Sequence, residues 1–432
     1  MIRPRTPLLL ALVAATACGG DDAISPGPVD GSTADSPALV DSDIPLPDGS
    51  PSLDASVASK ARLFTERLGG GHADHFLIGV GNDGTNDGKD DAYTLGVTLD
   101  LHYHYLNGIS TGGGWVTWNQ SPDYPSKRIT EAKAHGQVPM LTYYCLAANG
   151  DRNLSVLTDA TFLKTYFKDF AQALDSIKAG GGPVVVHDEP DFWGYMLQET
   201  VKNGGDPTKI KVSISQWGAP ECAGEPDDVV GLAHCKLKLY RARAPNALVG
   251  FHASAWGSNV DVDRNRDPKF DVVGEGNKTV AFFKTLGFDK ADFVATDPSD
   301  RDAGCYEANH QPMCQCIKTN TYKCDDYYWD ESNTTLPNFK QHLTWVKSVS
   351  DGLRLPVIWW QIPYGSPSGT AGGAVGAWRD NRVHYFFAHV DELVAAGGVG
   401  AVWGVGAGDQ SYLTPEFKTA VTKYFAAPFP LP

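Results

Sequence analysis

Short apolar runs alternate with longer amphipathic stretches along most of the chain. Eight of the runs are rich in Val, Ile, Leu and aromatic residues and have the length of strands. The predicted strands are residues 75–80, 96–106, 138–146, 183–186, 247–253, 291–296, 355–361 and 398–405. Because they lack the polar alternation of a half-exposed strand, they predict a parallel sheet that is covered on both faces.

Between several of these strands the apolar residues recur at helical spacing. The predicted helices are residues 159–179, 228–243, 279–286, 336–351, 379–396 and 415–426. Eight strands alternating with helices predict an α/β protein of the (β/α)8 TIM barrel class. An open, doubly wound sheet is the alternative, but the glycines after the first strand have no helix behind them to complete a phosphate-binding turn.

The composition supports a large folded unit, since 42% of the 432 residues are hydrophobic and 20% are charged. The 51 acidic residues exceed the 36 Lys and Arg residues and give a formal net charge of −15. This excess of negative charge disfavours binding to a phosphate backbone. We therefore expect no nucleic acid partner.

The N-terminus has the features of an export signal. Arg3 and Arg5 precede the apolar run Leu8–Ala15, which is too short to span a bilayer as a permanent helix. Small residues followed by Cys18 resemble the bacterial lipobox, in which this cysteine becomes the lipidated N-terminus. An ordinary signal peptide with an incidental cysteine is the alternative.

Three segments are expected from this organisation. Residues 1–17 form a lipoprotein signal peptide, residues 18–59 a disordered tether rich in Asp, Pro and Ser, and residues 60–432 the catalytic (β/α)8 domain. Residues 19–59 contain eight Asp and no Lys or Arg, a composition that cannot bury enough apolar surface to fold. We expect a monomer in the bacterial cell envelope, held to the outer membrane or cell surface by its lipid alone, or secreted if Cys18 is not lipidated.

Seven cysteines remain when Cys18 is set aside, and an exported chain meets an oxidising compartment. Their spacing predicts one disulfide between Cys222 and Cys235. It also predicts two bridges among Cys305, Cys314, Cys316 and Cys324, whose pairing the sequence leaves open, while Cys145 is expected to be a buried free thiol. Zinc binding is the weaker interpretation, because the spacing is not that of a zinc knuckle.

In a (β/α)8 barrel the chemistry lies at the carboxyl ends of the strands, and these ends are rich in polar and aromatic residues here. The candidates are His102 and His104 on strand two; His187, Asp188, Glu189, Asp191 and Trp193 after strand four; His252 and Trp256 after strand five; Asp297, Asp300 and Asp302 after strand six; Trp360 and Gln361 on strand seven; and Trp403 on strand eight.

Carboxylates that face one another among aromatic rings suit the cleavage of glycosidic bonds. Aromatic faces stack on the apolar faces of sugar rings, while one carboxyl group donates a proton and another activates water or attacks carbon. The structural alternative is that the aromatic residues cap the barrel and the acids pair with Arg301 and its neighbours.

The sequence Asp188-Glu189-Pro190 after strand four resembles the Asn-Glu-Pro motif of the clan A glycoside hydrolases, which include cellulases and mannanases. The resemblance implies that Glu189 is the acid/base residue, that Asp188 replaces the Asn that contacts the sugar, and that Trp403 is a substrate platform. The nucleophile of that clan is a Glu at the end of strand seven, where this chain has Gln361.

Without that Glu, the second carboxylate has to come from another strand. We expect an inverting hydrolase with Glu189 as general acid and Asp297 as general base, because strands four and six face each other across the opening. Asp188, Asp191, Asp300 and Asp302 are alternatives for either role. The residues expected to bind substrate are His102, His104, His187, Asp188, Asp191, Trp193, His252, Trp256, Asp300, Trp360, Gln361 and Trp403.

We expect no cofactor and no metal. The segments 83–88 and 261–267 alternate oxygen ligands as calcium loops do, but both lack the final Glu. A metal bound by His102, His104, Asp188 and Glu189 is a further alternative. The expected partner is a polysaccharide or oligosaccharide substrate. The other functional hypotheses are an inactive barrel that binds glycans and a barrel phosphodiesterase acting on lipid head groups.

Overall fold

Eight parallel strands form a closed barrel in the computed structural model, which describes residues 53–81, 91–149, 153–217, 219–316, 318–319, 321–368 and 370–432. The strands are β1 Leu77–Gly81, β2 Leu101–Asn107, β3 Val138–Tyr144, β4 Val184–Asp188, β5 Ala247–His252, β6 Phe293–Thr296, β7 Val357–Ile362 and β8 Gly398–Trp403. Each strand pairs with its neighbours in chain order, and β8 closes the barrel by pairing with β1. The predicted (β/α)8 barrel is confirmed.

Helices cover the outside of the barrel. Those of the described residues are α1 Ala55–Leu68, α2 Tyr124–Ala134, α3 Ala160–Ala179, α4 Phe192–Lys202, α5 Val229–Arg243, α6 Val272–Thr285, α7 Ala303–Glu307, α8 Phe339–Leu353, α9 Arg382–Ala388, α10 Val390–Ala395 and α11 Pro415–Ala426. A two-stranded hairpin, Gly373–Ala374 with Ala377–Trp378, lies in the loop after β7.

The structure differs from the predicted helices in several places. Helix α1 begins at Ala55, where the Asp54 carboxylate accepts a hydrogen bond from the Ser56 amide, so the last residues of the predicted tether are helical. Helices α2, α4 and α7 were not predicted, and α6 begins at Val272 instead of residue 279. The predicted helix 379–396 is two helices that meet at His389.

The barrel interior is filled by every second residue of each strand, as the period of a strand requires. The interior cluster consists of Leu77, Leu101, Tyr103, Val138, Met140, Val185, Leu248, Phe293, Ala295, Ile358, Trp360, Val399 and Val402, with Tyr105 packed against it. Large rings need small neighbours here. A Cβ atom on Gly81 would lie 2.4 Å from the Tyr103 ring, so only glycine fits at that position.

The intervening strand residues point outward and form a second apolar layer between the strands and the helices. This layer contains large, fully buried side chains such as Trp115, Trp193, Trp359 and Trp403. The end of each strand therefore supplies residues to two different environments, the interior and the layer beneath the helices.

The predicted disulfides are present, and the structure settles the pairing that the sequence left open. Cys222 pairs with Cys235, Cys305 with Cys314, and Cys316 with Cys324, while Cys145 is a buried free thiol. Disulfides are typical of proteins in an oxidising, extracytoplasmic compartment.

The signal peptide, Cys18 and most of the predicted tether lie outside the described residues, as does the segment 83–88. Within the described part of the chain, no helix is long and apolar enough to cross a bilayer.

A buried ionic cluster lies at the amino-terminal end of the barrel, opposite the end where chemistry is expected. The Asp100 carboxylate contacts His72 Nδ1 at 2.7 Å and His75 Nε2 at 3.0 Å, and it accepts a hydrogen bond from the Ile78 amide. The hydrogen bond to Asp100, opposed by burial and aided by nearby negative charge, raises the pKa of His75 to about 9. The folded state therefore favours protonated His75.

We predict that His75→Asn destabilises the protein in a pH-dependent manner. Because the pKa of His75 in the folded state is raised above its ordinary value of 6.5, the stabilisation is fully present below pH 6.5 and is lost as the pH rises through about 9. At pH 6 the variant should lose about 1–2 kcal/mol in urea unfolding, which allows for solvent screening around the pair. His384→Asn, at an exposed site, is the control, and a deficit for His75→Asn that persists unchanged at pH 10 would refute the prediction.

Candidate active site

The carboxyl end of the barrel interior, which we call the mouth, is lined by rings from several strands. Trp360 of β7 lies at the centre, with the Tyr105 ring centroid 5.6 Å away and those of His187 and His252 at 4.6 Å and 5.9 Å. Tyr144 of β3 packs edge-on against Tyr105. These rings form an aromatic floor below the loops that follow the strands.

The two histidines that were predicted to bind substrate on strand two lie outside the barrel interior. His102 and His104 point outward, stack on each other at 5.1 Å, and pack below α2, where His102 Nδ1 donates to Gln137 at 2.6 Å. Burial lowers the pKa of His102 to about 4 and that of His104 well below its usual value. Both histidines are neutral packing residues under a helix, so the predicted substrate contacts and the phosphodiesterase hypothesis lose their support.

Asp188 also points outward, into the layer between the strands and α5. Its carboxylate accepts a hydrogen bond from the Tyr240 hydroxyl at 2.6 Å and from Trp193 Nε1 at 3.3 Å, and it contacts Lys236 Nζ at 3.0 Å. Trp193 is itself fully buried there. Neither Asp188 nor Trp193 can contact a substrate in the mouth, as had been predicted for both.

Glu189 lies in the same layer and has no exposed surface. Its Oε2 accepts hydrogen bonds from the Cys145 and Leu146 amides at 3.0 and 2.9 Å, and its Oε1 accepts one from the Tyr166 hydroxyl at 2.8 Å. A carboxyl group enclosed in this way cannot reach a glycosidic oxygen in the mouth. Glu189 instead ties the end of β4 to the end of β3 and to α3.

Two carboxylates and one lysine share this enclosed cluster. Burial raises the pKa of both Asp188 and Glu189, that of Glu189 to about 7, although the Lys236 charge opposes the change. Lys236 Nζ lies 3.6 Å from Glu189 Oε1 and is fully buried. The Asp-Glu-Pro motif is therefore a structural centre that depends on Lys236.

Asp191 follows the buried cluster of Asp188, Glu189 and Lys236 in the chain and lies in a less buried environment. It is half-buried, with a backbone φ of 65°, and α4 begins at the next residue. Burial raises the pKa of Tyr105, and the neighbouring charges of Asp191 and Asp300 raise it further. The charges of Asp191 and Asp300 therefore act on the Tyr105 hydroxyl at the mouth.

The candidates after β5 and β6 lie in contact with each other. His252 Nε2 lies 3.1 Å from Asp297 Oδ2, and His252 Nδ1 lies 3.0 Å from His187 Nε2. Both imidazoles are fully buried, whereas 17% of the Asp297 side chain is exposed. Asp297 thus presents a carboxylate to the mouth and is held from below by a histidine.

Gln361 and Asp300 form the other wall of the mouth. The Tyr105 hydroxyl donates to Gln361 Oε1, and Gln361 Nε2 donates to the Asp300 carbonyl at 3.3 Å. The Asp300 carboxylate pairs with Arg301 and accepts a hydrogen bond from the Tyr306 hydroxyl. Gln361 is therefore a connecting residue between β2, β7 and the loop after β6.

Two further candidates lie away from the mouth. Trp403 points outward, is 1% exposed, and packs on Phe387 and Phe417 with centroids 4.9 and 5.3 Å away, so it cannot be a substrate platform. Trp256 is half-buried and packs against Tyr195 of α4 at 4.9 Å, at the rim between the loops after β4 and β5.

Asp302 joins three loops instead of facing substrate. Its Oδ1 accepts the Gly365 amide and its Oδ2 the Ser411 amide, both at 2.8 Å. Burial and the nearby Asp380 carboxylate raise the pKa of Asp302 to about 8. The loops after β6, β7 and β8 therefore meet at one buried carboxyl group.

Backbone strain is concentrated at the same end of the barrel. Non-glycine residues with positive φ are costly and tend to cluster at functional sites. Those at the ends of β4, β6 and β7 are Glu189, Asp191, Ser299 and Gln361, with φ of 47°, 65°, 130° and 54°. Their position supports the mouth as the functional site independently of side-chain chemistry.

Tyr105 and Tyr144 at the mouth, and Lys236 in the buried cluster, were not predicted from the sequence. A signal for Lys236 was present, because it falls on the apolar face of α5, four residues after Leu232 and four before Tyr240. A charge at such a position needs a buried partner.

The structure separates the residues suggested for metal binding. His102 and His104 lie under α2, whereas Asp188 and Glu189 lie against α3 and α5. In the segment 261–267, Asp263 contacts His342 at 2.9 Å. No group of three or more His, Cys, Asp or Glu among the described residues is arranged to hold a metal ion.

We predict that Lys236→Met strongly destabilises the fold. Removing this cation leaves two buried carboxylates uncompensated, a change that typically costs about 3–5 kcal/mol. Lys238→Met is the matched control, because Lys238 lies on the same helix, is 51% exposed and pairs at the surface with Glu225. Urea unfolding midpoints measure both variants, and equal midpoints for the two would contradict the assigned role of Lys236.

No protein-family model and no curated protein match the chain. Solved structures with a similar barrel include a modular endo-β-1,4-mannanase from Cellulomonas fimi, with 12% identity and a TM-score of 0.49 over 87% of this chain and 75% of that one. A GH5 cellulase of Bacteroidetes affiliation has 11% identity and a TM-score of 0.46 over 87% and 98%. A D-allulose 3-epimerase from Methylomonas sp. has 13% identity and a TM-score of 0.37 over 83% and 92%. At these values the likeness concerns the barrel fold and does not extend to activity or substrate.

Proposed function

We propose that this protein is a glycoside hydrolase that cleaves a polysaccharide or oligosaccharide in the barrel mouth. The observation that carries the proposal is the aromatic floor of Trp360 and Tyr105 at the strand ends, with the part-exposed Asp297 after β6. Asp191 follows β4 at the same end of the barrel, and its charge acts on Tyr105. Catalytic residues of (β/α)8 barrels lie at these strand ends. Aromatic rings supply stacking surfaces for sugars, and two carboxyl groups supply the proton transfers.

In this proposal Asp297 keeps the role of general base, and Asp191 takes the role of general acid that the sequence had suggested for Glu189. The reassignment follows from burial, because Glu189 is enclosed whereas Asp191, two residues later, is only half-buried. Asp191 protonates the glycosidic oxygen as the bond to the anomeric carbon breaks. Asp297 removes a proton from the water that attacks that carbon from the opposite face.

The proposed outcome is inversion of configuration at the anomeric carbon. Retention requires a nucleophile beside the acid, and at the end of β7 this chain has the amide of Gln361. Asp300 is paired with Arg301, so we assign it to binding sugar hydroxyls at the wall of the mouth. Trp256 at the rim and Trp360 in the floor are the proposed stacking residues.

A barrel that binds glycans without cleaving them is the second candidate. It is favoured by Gln361, whose amide oxygen and nitrogen are both engaged by Tyr105 and the Asp300 backbone. The two candidates differ in whether new reducing ends appear when the protein is incubated with polysaccharides.

We further propose that the protein acts outside the cytoplasm on a lipid tether. The export signal and Cys18 motivate this, and the three disulfides are compatible with an oxidising compartment. Cys18→Ala should release the protein from the membrane fraction while the far-UV and near-UV circular dichroism of the barrel stays unchanged. Mass spectrometry that finds Cys18 unmodified in mature, membrane-associated protein would contradict the tether.

We predict that Asp191→Asn and Asp297→Asn each lower kcat by about 10²–10⁴-fold, because general acid and general base assistance each supply a factor of this size. Binding of oligosaccharide, measured by calorimetry, should largely survive. Asp191→Asn should recover most activity on a substrate with an activated leaving group, whereas Asp297→Asn should not. Asp175→Asn, on the exposed face of α3, is the control and should behave like the wild type.

The anomeric configuration of the first-formed product tests the mechanism. NMR spectra taken before mutarotation should show the inverted anomer. A retained anomer would refute the Asp191 and Asp297 pair, and a wild-type protein that binds glycans but releases no reducing ends would favour the second candidate.

A further inference from the structure

A chain of three hydrogen-bonding groups runs from the barrel interior to the mouth. Asp297 Oδ2 lies 3.1 Å from His252 Nε2, and His252 Nδ1 lies 3.0 Å from His187 Nε2. The two imidazole rings lie with centroids 5.1 Å apart, and Trp360 packs edge-on against both. Neither histidine has exposed surface, so their positions are fixed by packing.

The arrangement determines where the protons lie. An ionised Asp297 can only accept, so His252 Nε2 carries a hydrogen and donates it. In a neutral His252 the Nδ1 atom is then an acceptor, and His187 Nε2 has to donate to it. His187 is left with an Nδ1 atom that carries no hydrogen.

An independent observation agrees with this assignment. His187 Nδ1 is buried and has no hydrogen-bond partner among the described residues. A bare acceptor is the less costly atom to leave unpaired, because orphaned N–H groups are rarer in proteins than unsatisfied acceptors. Burial and the neighbouring His252 also lower the pKa of His187 well below its usual value, which keeps it neutral.

We propose that His252 is a positioning residue that holds the Asp297 carboxylate toward the mouth by a hydrogen bond from Nε2, and that His187 fixes the tautomer in which His252 can donate it. This inference rests on the proposed role of Asp297 as general base. It assigns a function to two buried histidines that do not touch the substrate.

Other charged groups near this hydrogen-bond chain have their own partners. Asp300 pairs with Arg301 on the same loop as Asp297. Tyr105 lies on β2, and the Asp191 charge acts on it from the loop after β4. Asp297 is the carboxylate that contacts His252, so we assign a change in the pH profile after substitution of His252 to Asp297.

Kinetics of His252 variants test the inference. His252→Phe keeps a ring but removes the donor to Asp297, so the acid limb of the pH profile of kcat should move up by about 1 pH unit, because loss of a hydrogen bond to a carboxylate favours its protonated form. His252→Gln places an amide donor near the former Nε2 position and should restore the limb to within a few tenths of a unit. Identical limbs for the two variants, or a His252→Phe limb equal to that of the wild type, would overturn the proposal.

His342→Phe is the matched control. His342 is also fully buried and contacts a carboxylate, Asp263, at 2.9 Å, but it lies outside the barrel under Trp359. Its loss should lower the unfolding midpoint and leave the acid limb in place. A limb that moves equally in His342→Phe would show that destabilisation alone causes the effect.

A second measurement does not depend on catalysis. With ¹⁵N-labelled histidine, the full chain should show His252 and His187 as neutral rings protonated at Nε2, and Asp297→Asn should change the His252 signal. Spectra showing a proton on Nδ1 of either ring would overturn the inference even if glycan cleavage is confirmed. If the wild type cleaves no glycan while the predicted tautomers are present, the proposed function fails and the hydrogen-bond assignment stands.

Discussion

The alternation of side chains along each strand of a closed barrel is the constraint on which the rest of this structure depends. Neighbouring residues at a strand end point to opposite sides, one into the mouth and one beneath the helices. His187 and Asp188 illustrate this at β4, where the histidine meets Trp360 and the aspartate meets Tyr240. His187 and Asp188 therefore belong to different environments, although they are adjacent in the chain.

The same constraint explains how far the sequence could be interpreted. Eight apolar runs located the eight strands of the barrel, because a strand that is buried on both faces is largely apolar. For that reason the runs contained no information about which residues face inward. Trp403 and Trp360 are equally apolar, yet one packs on Phe387 outside the barrel and the other forms the floor of the mouth. His252 and Asp297 lie in contact because both continue inward-facing positions of their strands, a contact that the sequence analysis did not specify.

Burial of charge distinguishes the two sides of the barrel wall. Beneath the helices, Asp188 and Glu189 are satisfied by backbone amides, hydroxyl groups and Lys236, an arrangement that stabilises one backbone path after β4. After β4 and β6, by contrast, the side chains of Asp191 and Asp297 remain partly exposed. A short motif cannot reveal this difference, because the partner that decides it, Lys236, lies 47 residues further along the chain than Glu189.

The meeting of three loops at Asp302 has a consequence for the thermodynamics of ligand binding. One carboxyl group fixes the backbone at Gly365 and Ser411, and the Cys305–Cys314 disulfide begins three residues after it. The rim on that side of the mouth is thus ordered before any ligand arrives. A ligand that enters loses its own freedom of movement but imposes little additional loss of entropy on the protein, so weak individual contacts can still add up to a measurable affinity.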